Sequence, residues 1–239
     1  MAEFRRDEVS IHYDLEGDGY PVLLIAPGGM KSANELWMNM PWNPRAALAA
    51  DHRLIGMDQR NAGRSTAPIN GSDGWNTYTA DQLALLDHLD VERCHVVGMC
   101  IGGPYIMNLL TTAPERFSSA VLLQPVGISD NRQAMYDMFD LWAESVAPQH
   151  SDVTTDDWHS FRSNMWDGEF VLTATRDQVA ACDTPLLVAM GNDLYHPEST
   201  SREIADLARD VTFVETWKEG DALESFDRVV REFLAQHTT

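Results

Sequence analysis

Apolar residues fall in short unbroken runs, separated by stretches whose apolar positions recur at helical spacing. Pro21 to Ala26, Arg53 to Met57, Cys94 to Met99, Ser119 to Val126, Thr184 to Met190 and Val211 to Glu215 are such runs. A short run that is apolar on successive residues fits a strand buried on both faces of a parallel sheet. Val9 to Tyr13 instead alternates, as an edge strand does, and leads into a turn through Glu16-Gly17-Asp18-Gly19. Helices are predicted from about Asn43 to Ala50, Asp81 to Leu89 (on Leu83, Leu86 and Leu89), Arg202 to Leu207, and Phe226 to Ala235, the last amphipathic. Strands alternating with helices predict an α/β chain with a doubly wound, mostly parallel sheet. The length of 239 residues fits one domain over residues 1–239.

One run ends unusually. Cys94-His95-Val96-Val97-Gly98-Met99-Cys100-Ile101-Gly102-Gly103 passes from strand through Gly-x-Cys-x-Gly-Gly directly into a helical pattern. Glycines on either side of Cys100 predict a turn so tight that a Cβ at Gly98 or Gly102 would collide with its neighbours. The apex residue is then exposed at the N-terminus of a helix. This stretch resembles the nucleophile elbow of the α/β-hydrolase family, with cysteine where most members carry serine. Three further features fall in the family's order. They are the glycine-rich loop Pro27-Gly28-Gly29-Met30, the turn Asp58-x-Arg60-x-x-Gly63-x-Ser65, and the acid Asp193 behind the strand Pro185 to Met190. Dienelactone hydrolases are similar at the cysteine elbow only.

The segment 129–179 breaks the alternation of strand and helix and is rich in aromatics: Tyr136, Phe139, Trp142, Trp158, Phe161, Trp166 and Phe170. Its position between two strands resembles the family's lid, which covers the elbow and shapes the pocket. An ordinary helical excursion with inward-packed aromatics is the alternative.

The resemblance implies roles for particular residues. Cys100 is the nucleophile, favoured as a thiolate by free backbone N–H groups and the helix dipole. Ile101 and either Gly29 or Met30 supply the backbone donors of an oxyanion hole. The family's histidine-glycine pair is replaced here by Pro27-Gly28, which leaves a hole built of backbone amides intact. Asp193 is the orienting carboxylate, with a helix N-cap as its other reading. Cys94 and Cys182 lack such surroundings and read as core or inert thiols.

The base is the difficulty. The family places a histidine after the last strand, where this chain reads Thr216-Trp217-Lys218-Glu219-Gly220. His196, in Asp193-Leu194-Tyr195-His196-Pro197, lies on the matching edge of the sheet and is the candidate base. Two arrangements remain open: His196 serves Cys100 from an unusual loop, or the triad is incomplete.

The formal charge of −20 disfavours nucleic acid and anionic membranes as partners. No run reaches the roughly 18 apolar residues of a membrane span. Three cysteines and an N-terminus without an apolar stretch lead us to expect free thiols and a cytoplasmic location. Neither ligand spacing for a metal nor a nucleotide loop occurs, so no cofactor is expected. The expected partner is a small molecule with an apolar portion, and a homodimer is left open. The functional expectation is a hydrolase or acyl-transfer enzyme acting on a small ester, lactone or thioester. The alternatives are a catalytically degenerate binding protein, or a lyase or cyclase in the same pocket.

Overall fold

The computed structural model describes residues 2–238. Eight strands form one sheet: β1 Ala2–Arg6, β2 Val9–Glu16, β3 Tyr20–Ile25, β4 His52–Met57, β5 Cys94–Met99, β6 Phe117–Leu123, β7 Leu186–Ala189 and β8 Val211–Val214. Their spatial order is β1-β2-β4-β3-β5-β6-β7-β8. β1 pairs antiparallel with β2, and β2 with β4. From β4 onward every pairing is parallel. The sheet is therefore doubly wound and mostly parallel, with β5 near its centre.

The buried runs work on both faces because side chains alternate along a strand. Leu23 and Ile25 of β3, Val96 of β5 and Leu122 of β6 join one core. Val22 and Leu24, Val97 and Met99, and Val121 and Leu123 join the other. The first core is covered by α2 (Trp75–His88), α3 (Gly102–Thr112), and α7 (Glu198–Leu207). The second is covered by α1 (Pro44–Leu48) and α8 (Gly220–Gln236), the latter through Phe226, Val230, Phe233 and Leu234.

Several elements depart from the sequence expectation: α7 begins at Glu198 rather than Arg202, and α8 at Gly220 rather than Phe226. β1 is a strand the apolar pattern does not flag, because Glu3, Arg5 and Arg6 are charged and none of its residues is fully buried. The second helix begins at Trp75, six residues ahead of Asp81, with Gly74 as its N-cap. Its first turn carries Trp75 and Tyr78, which are buried beneath other aromatics rather than on the sheet.

Between β6 and β7 lie three helices: α4 Arg132–Val146, α5 Thr155–Trp166 and α6 Arg176–Ala181. α5 and α6 each open with a capping box, on Thr154 and Thr175. Phe139, Trp142, Phe161 and Trp166 point inward and are almost fully buried. Trp142 meets Phe139 at a centroid distance of 5.4 Å and Phe161 at 5.8 Å, both edge-on, as ring quadrupoles favour. The segment rests on the elbow side of the sheet. Met138 of α4 occupies the space a Cβ on Gly29 would need, 2.2 Å from its sulfur.

Candidate active site

β5 carries the chain to Met99, and α3 starts at Gly102. Cys100 between them holds φ at +60°, the left-handed region that costs a non-glycine residue roughly 1–3 kcal/mol. Its backbone is pinned from both sides. The Cys100 N–H donates to Leu123 O at 3.0 Å, and its carbonyl accepts from Gly103 at 3.0 Å and Val126 at 3.1 Å. The neighbouring glycines are steric necessities. A Cβ on Gly98 would lie 3.0 Å from the Gly102 backbone, and one on Gly102 2.9 Å from Ile25 O. Gly103 is tighter still, at 2.4 Å from Pro125 Cβ.

The loop after β7 brings the other side chains. Asp193 and His196 close a tight turn in which each N–H donates to the other's carbonyl, at 3.3 and 3.2 Å. The Asp193 carboxylate accepts the N–H groups of Tyr195 (3.0 Å) and His196 (3.1 Å). His196 Nδ1 lies 2.7 and 2.8 Å from its two oxygens. Asp193 does not cap the next helix: α7 starts behind Pro197 with no side-chain cap. Gly191 makes the fold-back feasible, since a Cβ there would stand 2.5 Å from His196 Cβ.

With Nδ1 on Asp193, His196 has Nε2 left for Cys100. That atom is buried and has no partner by strict hydrogen-bond geometry. The Cys100 thiol is its neighbour, and the two side chains act on each other's charge. Burial, the largest influence, pushes the Cys100 thiol up. His196 and the backbone N–H groups of Gly28 and Ile101 outweigh it, and the thiol ends below its ordinary range. For His196, burial disfavours the imidazolium, but Cys100 and Asp193 raise it above the ordinary histidine value. Burial likewise works against the Asp193 carboxylate, which His196 and the turn amides hold below its usual range. Opposite shifts on Cys100 and His196 mean that each group favours the charged form of the other. The other two thiols lack any such partner: burial pushes Cys94 up to about 12 and also raises Cys182.

Among the amides of the glycine loop, that of Gly28 reaches the Cys100 sulfur. Gly29 faces Met138, and the Met30 side chain is 1% exposed in the core. The loop holds positive φ at Gly28 (116°) and Gly29 (58°), the left-handed region that glycine tolerates.

A model of the α/β hydrolase fold matches residues 21–216. The chain belongs to the α/β-hydrolase fold family. Among curated relatives, it is 35% identical over 130 residues to a Mycobacterium tuberculosis protein named as a non-heme bromoperoxidase, BpoC, covering 54% of this chain and 47% of that one. It is 28% identical over 150 residues to 2-hydroxy-6-oxo-6-phenylhexa-2,4-dienoate hydrolase of Comamonas testosteroni, covering 60% and 52%. The chain thus spans about half the length of the curated relatives it matches. Solved structures are similar in fold over nearly the whole chain. The enol-lactonase from Burkholderia xenovorans superimposes with a TM-score of 0.70 at 20% identity, covering 98% of this chain and 100% of that one. An α/β hydrolase from a Medee basin deep-sea metagenome library, MGS-M2, reaches 0.76 at 15% identity, covering 100% and 98%.

Within the family's plan, the loop after the last strand is the departure. Trp217 is buried there, its Nε1 donating to Met190 O at 2.9 Å, and Lys218 Nζ donates to Asn192 Oδ1 at 3.1 Å. Side chains of this loop thus prop the Asp193–His196 turn. Two residues of the arrangement carried no sequence signal beyond their type: Gly191 and Asn131, which binds the turn from the other side. The free thiol Cys182 lies elsewhere, lining a cavity of about 370 Å³ with Met107, Leu110 and Phe117 at the far end of β6. No described helix is long and apolar enough to cross a membrane.

Proposed function

We propose that the chain is a cysteine-dependent hydrolase or acyl-transfer enzyme acting on a small ester, lactone or thioester. The observation that carries the reading is the chain of contacts from Asp193 to His196 to Cys100, with the Gly28 and Ile101 amides on the same sulfur. It has the order nucleophile, base, orienting acid that acyl transfer requires, drawn from two loops instead of three.

The Cys100 thiolate attacks the carbonyl carbon, and the carbonyl π electrons move onto oxygen. Backbone N–H groups of Ile101 and the Gly28–Met30 loop stabilise that oxyanion. On collapse, the C–O or C–S bond of the leaving group breaks, and the imidazolium of His196 gives the departing atom its proton. This leaves a thioester on Cys100. His196, now neutral, takes a proton from water as the water attacks, and the thiolate departs. Asp193 holds the ring and the charge it carries through both halves. A cavity of about 280 Å³ lies beside the end of the glycine loop, lined by Leu36, Trp142 and Val146 and by the polar Lys31, Glu35 and Asn61. In this reading α4 serves as a lid, since it contributes Trp142 to the cavity and Met138 to the loop. The relatives named for hydrolysis of an enol-lactone and of a dienoate agree with a small carbonyl substrate.

Trapping is the test. A p-nitrophenyl ester mixed with the enzyme should add one acyl mass to the peptide containing Cys100, with a burst of nitrophenol. Hydrolysis that persists in Cys100→Ala, or acylation elsewhere, refutes the assignment.

A further inference from the structure

The turn that carries both His196 and Asp193 belongs to no helix or strand, so its surroundings must fix where the imidazole points. Its internal bonds shape it without attaching it to the sheet. Beside the Trp217 bond to Met190 O at its root, three contacts attach it. The Gly191 N–H donates to Ser201 Oγ of α7 at 3.1 Å, and Lys218 holds Asn192 at an exposed contact. The third is Asn131, which is buried at the root of α4. Its Nδ2 donates to Leu194 O at 2.7 Å and to Gly127 O at 3.0 Å, while its Oδ1 accepts the Ser129 N–H at 2.9 Å.

Asn131 is the side chain that reaches the middle of the turn. Its second acceptor stands on firm ground: a Cβ on Gly127 would fall 2.1 Å from Thr200 Oγ1, so that backbone is pressed against α7. Removing the amide strands two carbonyls and frees the turn from the segment that begins α4. We infer that Asn131 is a positioning residue that locks the His196 turn to the root of α4, so that the orientation of the base and the placement of the helical segment over the elbow are set together. The inference rests on His196 acting as the base of Cys100. The charged group facing His196 is Asp193, within the turn, and Lys218, from the loop after β8, faces Asp193 in turn.

The test needs no substrate. Iodoacetamide alkylation of Cys100 is followed by intact mass and peptide mapping from pH 5 to 9 in the parent, Asn131→Leu and Asn131→Ala. The parent should label Cys100 with an apparent pKa below that of an ordinary thiol. Both variants should raise it by about one unit, making labelling about tenfold slower below that pKa. Ester hydrolysis should show a fall in kcat of similar size with KM within about twofold. Leu fills the amide's volume and Ala relieves any clash, so either folded variant suffices. Variants that melt earlier yet keep the parent's labelling profile assign Asn131 a purely structural role and overturn the inference. A parent that labels as an ordinary thiol overturns the inference together with the reading of Cys100 and His196. A parent with the depressed value and unshifted variants overturns the inference alone.

Discussion

His196 Nδ1 lies 2.7 and 2.8 Å from the two oxygens of Asp193, three residues earlier on the same turn. In the proposed mechanism, base and acid are therefore held by local geometry on a single turn. Because one turn sets both, moving it moves the whole proton-handling unit, and the first predictions follow from that.

His196→Ala should lower kcat/KM for a small ester by about 10²–10⁴, the usual contribution of a positioned base. It should also return Cys100 toward an ordinary thiol pKa. Steady-state kinetics and alkylation against pH measure the two effects on the same sample. A variant unchanged in both would remove His196 from the mechanism.

Gly191→Ala probes the turn without touching a reacting group. The added methyl would meet His196 Cβ at 2.5 Å and its carbonyl at 2.6 Å, so the turn must shift. Activity should fall at least tenfold, while the overall fold, read by far-UV circular dichroism, stays that of the parent.

The pH profile of kcat/KM should be bell-shaped. The acid limb reports protonation of a thiolate whose pKa lies below normal, and the alkaline limb reports loss of a proton from an imidazolium whose pKa lies above normal. Cys100→Ser should lose most of the activity and the acid limb, because a serine hydroxyl gains no thiolate from the helix terminus. A serine variant as active as the parent would break the link between the cysteine and this unusual base.

A separate prediction concerns stability. His95 in β5 is fully buried, with Nδ1 at 2.9 and 2.8 Å from the hydroxyls of Ser118 and Ser119, and its ring 4.8 Å from Tyr20. Burial, and after it the nearby His52, hold its pKa down to about 3. The unfolded chain binds a proton there near pH 6.5, so the stabilisation is complete above that pH and is lost as pH falls through 6.5 toward 3. The loss amounts to roughly 3–5 kcal/mol. Urea midpoints between pH 7.5 and 4.5 should show it, and His95→Gln should flatten the slope. A slope unchanged in the variant would assign the acid sensitivity to other groups.

Much of the fold was legible in the chain because each strand's environment is written in its composition. Apolar runs such as Val22 to Ile25 admit burial on both faces and little else. The elbow was legible for a steric reason, since Gly98 and Gly102 leave room that other residues would fill. β1 escaped because its exposed charged residues are held by pairing with β2 rather than by a core. The inward packing of the aromatics of 129–179 followed from their type, but which loop α4 rests on did not.

The sequence by itself determined the sheet, the order of its strands along the chain and the apex position of Cys100, all of which depend on local periodicity and on the size of a few residues. It also presented His196 as a candidate without deciding between a working base and an incomplete triad. Only the tertiary structure decided which groups meet. The Gly28 amide reaches the sulfur, His196 folds back over Gly191, and Asn131 ties that turn to the root of α4. These are contacts between segments far apart in the chain, and their geometry depends on how whole elements pack, which no local pattern encodes.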